Sequence, residues 1–428
     1  MSDSQEERPS ITRQLAQKGL ISPPLVGAAR PGLCTDCGVS RMGAGQDRGK
    51  ACGRACQFIA PDYPAMEKAV HGRAADPDLG DERFFGVIHS MIRARLDPPA
   101  EQAQWTGLTT ALAAQLLEQG HVDAVLTMAP HPDDRWKPVP VMVTDPAALA
   151  HCRGMRMGYA PLLSLLEPAQ AMGYRRLAVI GIPCQIYALR ALEQTLGFER
   201  IHVIGTPCSD NTTTDAFHHF LSLLEPDPDR ISYLEFRTDY RVELRFDDGR
   251  PPRTIPFLKL PLSNLPADFF PLTCKSCVDY TNRLADITVG YMGGDGDQWV
   301  IARNERGADL LALLGDRLVR RPLADKGRRK GAVTGFLHNT ERAAGGLPLR
   351  RMPGWLRPIV AFLQPRLGPK GLEFARARLE MKAIETVLHL RRAHPARLKN
   401  MVPAHVWDLV AAYGLRPRPT EKKSIKSP

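Results

Sequence analysis

The 428-residue sequence has no long apolar run. Nothing in it approaches the roughly 18 consecutive apolar residues that a membrane span needs. The opening MSDSQEERPSITRQLAQKG has no apolar core of the kind a secretory leader carries, so a cytosolic chain is expected. In that compartment thiols stay reduced or hold metal, which argues against a disulfide scaffold. No G-x-G-x-x-G follows a strand-like run, so a Rossmann nucleotide site is not indicated. The stretch from Gly43 to Gly49-Lys50 is not a phosphate loop: its glycines are spaced too widely, and Ala51 stands where Ser or Thr is needed. Histidines at metal-ligand spacing are also missing, since His218-His219 fall in mid-helix and read as solvent-facing.

What the chain does have is cysteine in a pattern. Eight of its nine cysteines form two sets of four. The first is compact: Cys34-Thr-Asp-Cys37, then Cys52 and Cys56. The second is scattered: Cys184 in Ile-Pro-Cys-Gln, Cys208 in Thr-Pro-Cys-Ser, and the pair Cys274-Lys-Ser-Cys277. Four thiolates are what one 4Fe–4S cube needs, and a Cys-x-x-Cys turn aims two of them at one centre. For the first set alone, structural zinc stays open as an alternative. Cys152 is left over and reads as a buried small hydrophobe.

Hydrophobic patterning gives an α/β fold. RRLAVIGI is a continuous buried-type strand, Pro183-Cys184-Gln185 a turn, and IYALRALEQTL a helix. RIHVIGT, Pro207-Cys208-Ser209-Asp210 and TTTDAFHHFLSLL repeat the plan. Successive βα units imply parallel strands, whose carboxyl ends gather functional groups, so Cys184 and Cys208 are expected at one sheet edge, each opening a helix. VDAVLTM and PVPVMVTD are read as further strands among such units. Residues 65–120 read as helical, with the best amphipathic run at 108–119. Residues 231–257 alternate with period two, Asp248-Gly249 marking a hairpin. A strand and Gly-rich loop (LADITVGYMGG), a strand and helix (VIARNERGADLLALL) and a helical region follow. The apolar residues Leu372, Phe374, Leu379 and Met381 of that region read as packing. The expected division is a flexible tail at 1–30, a cysteine module at 31–64, a catalytic core at 65–344, a helical region at 345–416 and a disordered tail at 417–428. The sheet is expected to be mixed.

The formal net charge of +11 and a pI near 9.3 favour acidic partners. Basic residues concentrate at Arg317, Arg320, Arg321, Arg328, Arg329, Arg350 and Arg351. Aromatics do not interleave with them, which counts against a zinc-ribbon, nucleic-acid-binding regulator.

Several blocks together resemble the β-subunit family of deazaflavin-coenzyme hydrogenases and dehydrogenases. They are Cys34-Thr-Asp-Cys37-Gly38, Pro183-Cys184-Gln185, Gly205-Thr-Pro-Cys208-Ser-Asp210-Asn211, Cys277-Val-Asp279-Tyr280-Thr281-Asn282, Val289-Gly290-Tyr291-Met292-Gly293, Arg303-Asn304-Glu305-Arg306-Gly307 and the run from Gly368 to Arg376. The resemblance spans about residues 31 to 392 and is strongest to a branch of chlorophyll-pathway reductases. It implies an enzyme with two 4Fe–4S clusters held by Cys34, Cys37, Cys52, Cys56, Cys184, Cys208, Cys274 and Cys277. It also implies FAD, with contacts expected from Asn211, Thr212, Gly290, Tyr291, Met292, Gly293 and Arg303. The partners implied are reduced ferredoxin and a tetrapyrrole, with no nucleic acid; self-association and a peripheral place at photosynthetic membranes stay open. The Arg-, Ala- and Pro-rich composition fits a GC-rich phototrophic bacterium, which favours reduction of the 8-vinyl group of 3,8-divinyl (proto)chlorophyllide a. Reduction of a 7-hydroxymethyl chlorophyll and a deazaflavin-coenzyme reaction are the alternatives.

Overall fold

The computed structural model describes residues 34–42, 48–59, 61–101, 103–237, 239–290, 297–345 and 352–421. The expected tail at 1–30 and the expected contacts Tyr291, Met292 and Gly293 lie outside them.

Among the described residues, and apart from a short two-stranded ladder, the architecture is carried by β1 (Ser90–Leu96), β2 (Ala124–His131), β3 (Asp134–Val143), β4 (Arg176–Gly181), β5 (Arg200–Gly205), β6 (Ile231–Phe236), β7 (Arg241–Phe246), β8 (Arg253–Pro256), β9 (Ile287–Gly290), β10 (Gln298–Ala302) and β11 (Leu318–Arg321). Eight form one sheet in the order β11-β1-β10-β9-β5-β4-β2-β3, and β6-β7-β8 form a separate meander. The centre, β9-β5-β4-β2, is parallel, whereas both flanks are antiparallel. The expected mixed α/β fold is what the structure has.

The helices used below are α1 (Arg48–Ala55), α2 (Tyr63–His71), α3 (Leu108–Glu118), α4 (Pro183–Leu192), α5 (Thr214–Leu224), α6 (Glu305–Ala312), α7 (Arg329–Ala343), α8 (Leu356–Leu367), α9 (Leu372–Ala393), α10 (Pro395–Met401) and α11 (Ala404–Ala411). The central strands are apolar at successive positions because both faces are covered. Val125, Ala178, Ile204 and Val289 meet Leu108, Leu112 and Leu116 of α3 and Leu310 and Leu311 of α6 on one face. Leu126, Leu177, Val179 and Val203 meet Ile186, Tyr187 and Leu189 of α4 on the other. Each buried Val, Leu or Ile among them contributes roughly 1.5–3 kcal/mol, which fixes the three layers.

Two expectations need correction. Residues 65–120 are not all helical, because β1 runs through the middle of the sheet's antiparallel flank. In Met91-Ile-Arg-Ala-Arg-Leu96, Ala94 and Leu96 are buried while Arg93 and Arg95 are less so, a period-two pattern inside helix-favouring residue types. The runs VDAVLTM and PVPVMVTD are one antiparallel hairpin, β2–β3, and not members of two βα units. Its turn is made by His131-Pro-Asp-Asp134, with Pro132 and Asp133 the turn-forming pair.

The C-terminal helices α7, α9, α10 and α11 form a bundle around Val333, Leu337, Ile384, Val387, Leu390, Leu398, Val406 and Val410. Of the four residues expected to pack along α9, Leu372 and Leu379 are buried and Met381 packs on the bundle core. Phe374 meets the Tyr240 ring edge-on at 5.6 Å. Ordered structure continues past residue 416, since the buried Glu421 carboxylate pairs with Arg391 at 2.7 Å. The bundle closes over the sheet edge where the cysteines lie.

Candidate metal centres

Cys34, Cys37, Cys52 and Cys56 come from one turn and one helix. The turn closes at Asp36, whose left-handed backbone (φ 46°) is one that Asp tolerates. The Asp36 N–H donates to the Cys34 Sγ at 3.3 Å, and Arg41 holds the Asp36 carboxylate. A Leu163 N–H bonds the Cys37 carbonyl at 2.9 Å, tying the turn to the body of the protein. Cys52 lies on α1 and Cys56 just beyond its end, one helical turn on, with the Cys56 N–H on the Cys52 carbonyl at 3.0 Å. Burial pushes the Cys37 thiol up to about 12; the Val39 N–H opposes this, and Cys56, Cys34 and Cys52 add to it. Cys56 is also raised, by burial first, with contributions from Cys34 and Cys52. The four thiols share one field.

The second set is assembled by the sheet. Gly181 and Gly205 end β4 and β5 directly opposite each other, and each cysteine follows three residues later. Cys184 opens α4, at its second position. Cys208 does not open a helix as expected: α5 starts only at Thr214, and Cys208 is held instead by its N–H on the Tyr280 carbonyl at 2.9 Å. Cys274 and Cys277 sit on the short helix Leu272–Lys275 and just after it. Helix α9 reaches across to this edge. Thr386 donates to the Cys277 carbonyl at 3.1 Å, and the buried Lys382 ammonium bonds Asp210 at 2.5 Å and Glu385 at 3.2 Å. Burial raises all four thiols, Cys274 to about 12 and Cys277 to about 11. Among the smaller influences on Cys208 are Cys274, Cys184 and Cys277, and on Cys184 they are Cys277, Cys274 and Cys37.

The two sets are neighbours. Thr35, inside the first turn, donates to the Cys184 Sγ of the second set at 3.5 Å. Tyr159 is buried with no hydrogen-bond partner for its hydroxyl among the described residues, and it feels Cys274, Cys184, Cys208 and Cys34. Cys152 stands apart, raised to about 12 by burial and packed on an apolar cluster.

The donor set fits iron–sulfur ligation. Four sulfurs already accept from N–H or O–H groups: Cys34 from Asp36, Cys184 from Thr35, Cys274 from the Asn211 N–H at 3.4 Å, and Cys277 from the Gln57 amide at 3.6 Å. Donors to sulfur are what a cluster's anionic thiolates use. Among the described residues no group of three His, Cys, Asp or Glu side chains is arranged to hold a single metal ion.

Of the residues expected to contact FAD, the four that are described, Asn211, Thr212, Gly290 and Arg303, make close contacts within the protein. Arg303 is buried, and its guanidinium donates to the Phe85, Val87 and Thr281 carbonyls and to the Thr288 hydroxyl at 2.6–3.1 Å. Thr212 is fully buried and donates to the Phe269 carbonyl. Asn211 clips Gly158, accepting its N–H at 3.0 Å and donating to its carbonyl at 2.8 Å. Gly290 packs closely on the Pro207 ring, which a Cβ there would approach to 2.3 Å. Glycine and polar residues after strands read as ligand loops; here they hold the loops to one another.

Asn282 is a positioning residue that the sequence did not single out. Buried with φ 59°, it donates to the Gly181 carbonyl at 2.7 Å and the Thr206 carbonyl at 3.3 Å, fastening the two strand ends that precede Cys184 and Cys208. A cavity of about 500 Å³ lined by His71, Arg73, His89, Asn304 and Arg306 is a different place. It follows the end of β10, which pairs with the start of β9, away from the strand ends that carry the thiols.

Two family models match the chain, coenzyme F420 hydrogenase/dehydrogenase beta subunit N-term over residues 91–167 and the C terminus over residues 174–320. The chain is 36% identical to the chloroplastic 7-hydroxymethyl chlorophyll a reductase of Oryza sativa, over 84% of this chain and 79% of the relative. It is 35% identical to an uncharacterized protein of Nostoc sp., over 84% and 89%. In the F420-reducing [NiFe] hydrogenase complex of Methanosarcina barkeri, one solved chain superposes with a TM-score of 0.50 at 23% identity, over 58% of this chain and 85% of that one, which shows a shared fold. The chain therefore belongs to the coenzyme F420 hydrogenase/dehydrogenase beta-subunit family, in the branch that includes 7-hydroxymethyl chlorophyll a reductase.

Proposed function

We propose that this chain is an iron–sulfur oxidoreductase of chlorophyll or bacteriochlorophyll biosynthesis. Its reaction is reduction of the 8-vinyl group of 3,8-divinyl (proto)chlorophyllide a to ethyl, with two electrons from reduced ferredoxin and two protons. The observation that carries the reading is the division of eight thiols into two neighbouring sets of four, with donors aimed at four of the sulfurs. Cys34, Cys37, Cys52 and Cys56 would hold one 4Fe–4S cluster, and Cys184, Cys208, Cys274 and Cys277 the other. Clusters bound there supply one-electron relay.

The chain's own residues supply the surroundings. The Asp36 and Asn211 N–H groups, Thr35 and Gln57 stabilise negative charge on sulfur. The Lys382 ammonium, kept charged by Asp210 and Glu385 despite its burial, adds positive charge beside Cys274 and Cys277. The bundle of α7, α9, α10 and α11 packs against Cys56, Cys184 and Cys277 and shields them in part from water. Exposed Arg317, Arg320, Arg321 and Arg328 supply surface positive charge suited to an acidic protein such as ferredoxin. FAD remains part of the expectation drawn from the resemblance. The four described residues expected to bind it are otherwise engaged, so no step is assigned to it.

A second reading has its own support, the similarity to the rice 7-hydroxymethyl chlorophyll a reductase. There the same two electrons and two protons would convert a hydroxymethyl to a methyl group and release water. The two are separated by supplying each tetrapyrrole to the anaerobic protein with reduced ferredoxin and weighing the products. We expect the divinyl substrate to gain two hydrogens. Loss of oxygen from the 7-hydroxymethyl substrate, with the divinyl one untouched, would overturn the vinyl assignment. Reduction of neither would overturn both.

A further inference from the structure

Helix α8 turns its apolar side outward. Trp355 at its N-cap, then Ile359, Phe362, Leu363 and Leu367, are 40–71% exposed and recur at helical spacing along one face. Surface helices of soluble domains normally do the reverse. The helix is not loosely attached. It packs on the segment Phe257–Lys259 beside the β6–β8 meander, and just beyond it the Tyr240 hydroxyl donates to the Pro369 carbonyl. The stripe is thus a fixed surface.

The stretch of sequence that carries it has charges of one sign. The sequence from Arg342 to Leu372 contains no Asp or Glu. Arg366 lies within the stripe with its guanidinium stacked 4.0 Å over the Phe362 ring, an arrangement that keeps charge at the surface while its stem lies on apolar groups. Just past the helix, Lys370 pairs with Lys326 across a short two-stranded ladder. Exposed Trp, Phe, Ile and Leu beside Arg and Lys is the chemistry of a helix lying in the headgroup region of an anionic bilayer. A second copy of this chain would have to bring its own like charge against this one.

We propose that α8 is an interfacial anchor that seats the protein on an anionic lipid surface. The helix lies along the membrane and does not cross it, since no described helix is long and apolar enough to span.

The full-length protein is sedimented with vesicles of phosphatidylcholine alone and of phosphatidylcholine with phosphatidylglycerol, at low and high salt. Light scattering gives its mass without vesicles. Wild type is expected to bind the anionic vesicles, to release at high salt and to ignore the neutral ones. The double variant Ile359→Ser/Phe362→Ser is expected to bind at least about tenfold more weakly. Trp355→Ser/Leu367→Ser, at the two ends of the stripe, repeats the test should the first pair fold poorly, judged by circular dichroism. Two results would overturn the proposal. One is equal or absent binding to both vesicle types. The other is a self-associated wild type whose mass falls in the variants while vesicle binding is unaffected, making a second copy the occupant.

Discussion

Asp286 is shared by four partners in the molecule's interior. It is fully buried and accepts from the Val203 N–H at 2.8 Å and from Asn304 at 2.9 Å, with the guanidinium of Arg190 at 2.9 Å and that of Arg306 at 2.7 Å. Burial alone would raise its carboxyl, but Arg190 and Arg306 outweigh it and hold the group at about 2. A group depressed in the folded state favours folding above its unfolded value, near 3.9, and loses that contribution as pH falls through the folded value. The window is therefore from about pH 4 down to about pH 2. Asp286→Asn leaves two guanidinium groups under-compensated, one of them fully buried. We expect it to cost about 3–5 kcal/mol in urea unfolding at neutral pH. The difference from wild type should shrink across the acid window. An unchanged midpoint would show that the charge cluster is not what holds α4 to the start of β9.

At the scale of elements, the critical geometry is the pair of strand ends at Gly181 and Gly205. A Cβ on Gly205 would come within 2.6 Å of Ala285 and 2.7 Å of Asn282, the residue that fastens both ends. Gly205→Ala is therefore expected to destabilise by about 1–3 kcal/mol through overpacking and to lower the iron content of the second set. Calorimetry with iron analysis checks this; wild-type values in both would mean the clip tolerates the shift. This juncture was half legible. The βα units around Cys184 and Cys208 could be read because each strand is a continuous apolar run ended by a Gly and a Pro-Cys turn. Asn282 could not, since its role depends on strand ends about eighty and a hundred residues away. β1 was hidden by Ala and Arg, which favour helix, so that tertiary pairing with β10 and β11 overrode propensity. The β2–β3 hairpin was hidden because apolar strands look alike whichever way they run.

For the whole molecule, the organising feature is that three separate parts meet at one sheet edge. The cysteine turn with α1, the strand ends with the Cys274–Cys277 segment, and the C-terminal bundle each contribute to the surroundings of the thiols. Sequence spacing alone supplied the grouping into two sets of four; it did not show that Thr35 and Tyr159 bring the sets side by side. The measurement that tests the account most directly is iron, sulfide and zinc analysis of the anaerobically purified protein, alongside Cys37→Ser and Cys277→Ser. Two four-iron cubes require about eight irons and about eight sulfides per chain. Each variant, missing a ligand from a different set, should retain about four. Zinc in place of iron, or an iron content that neither substitution changes, would contradict the account.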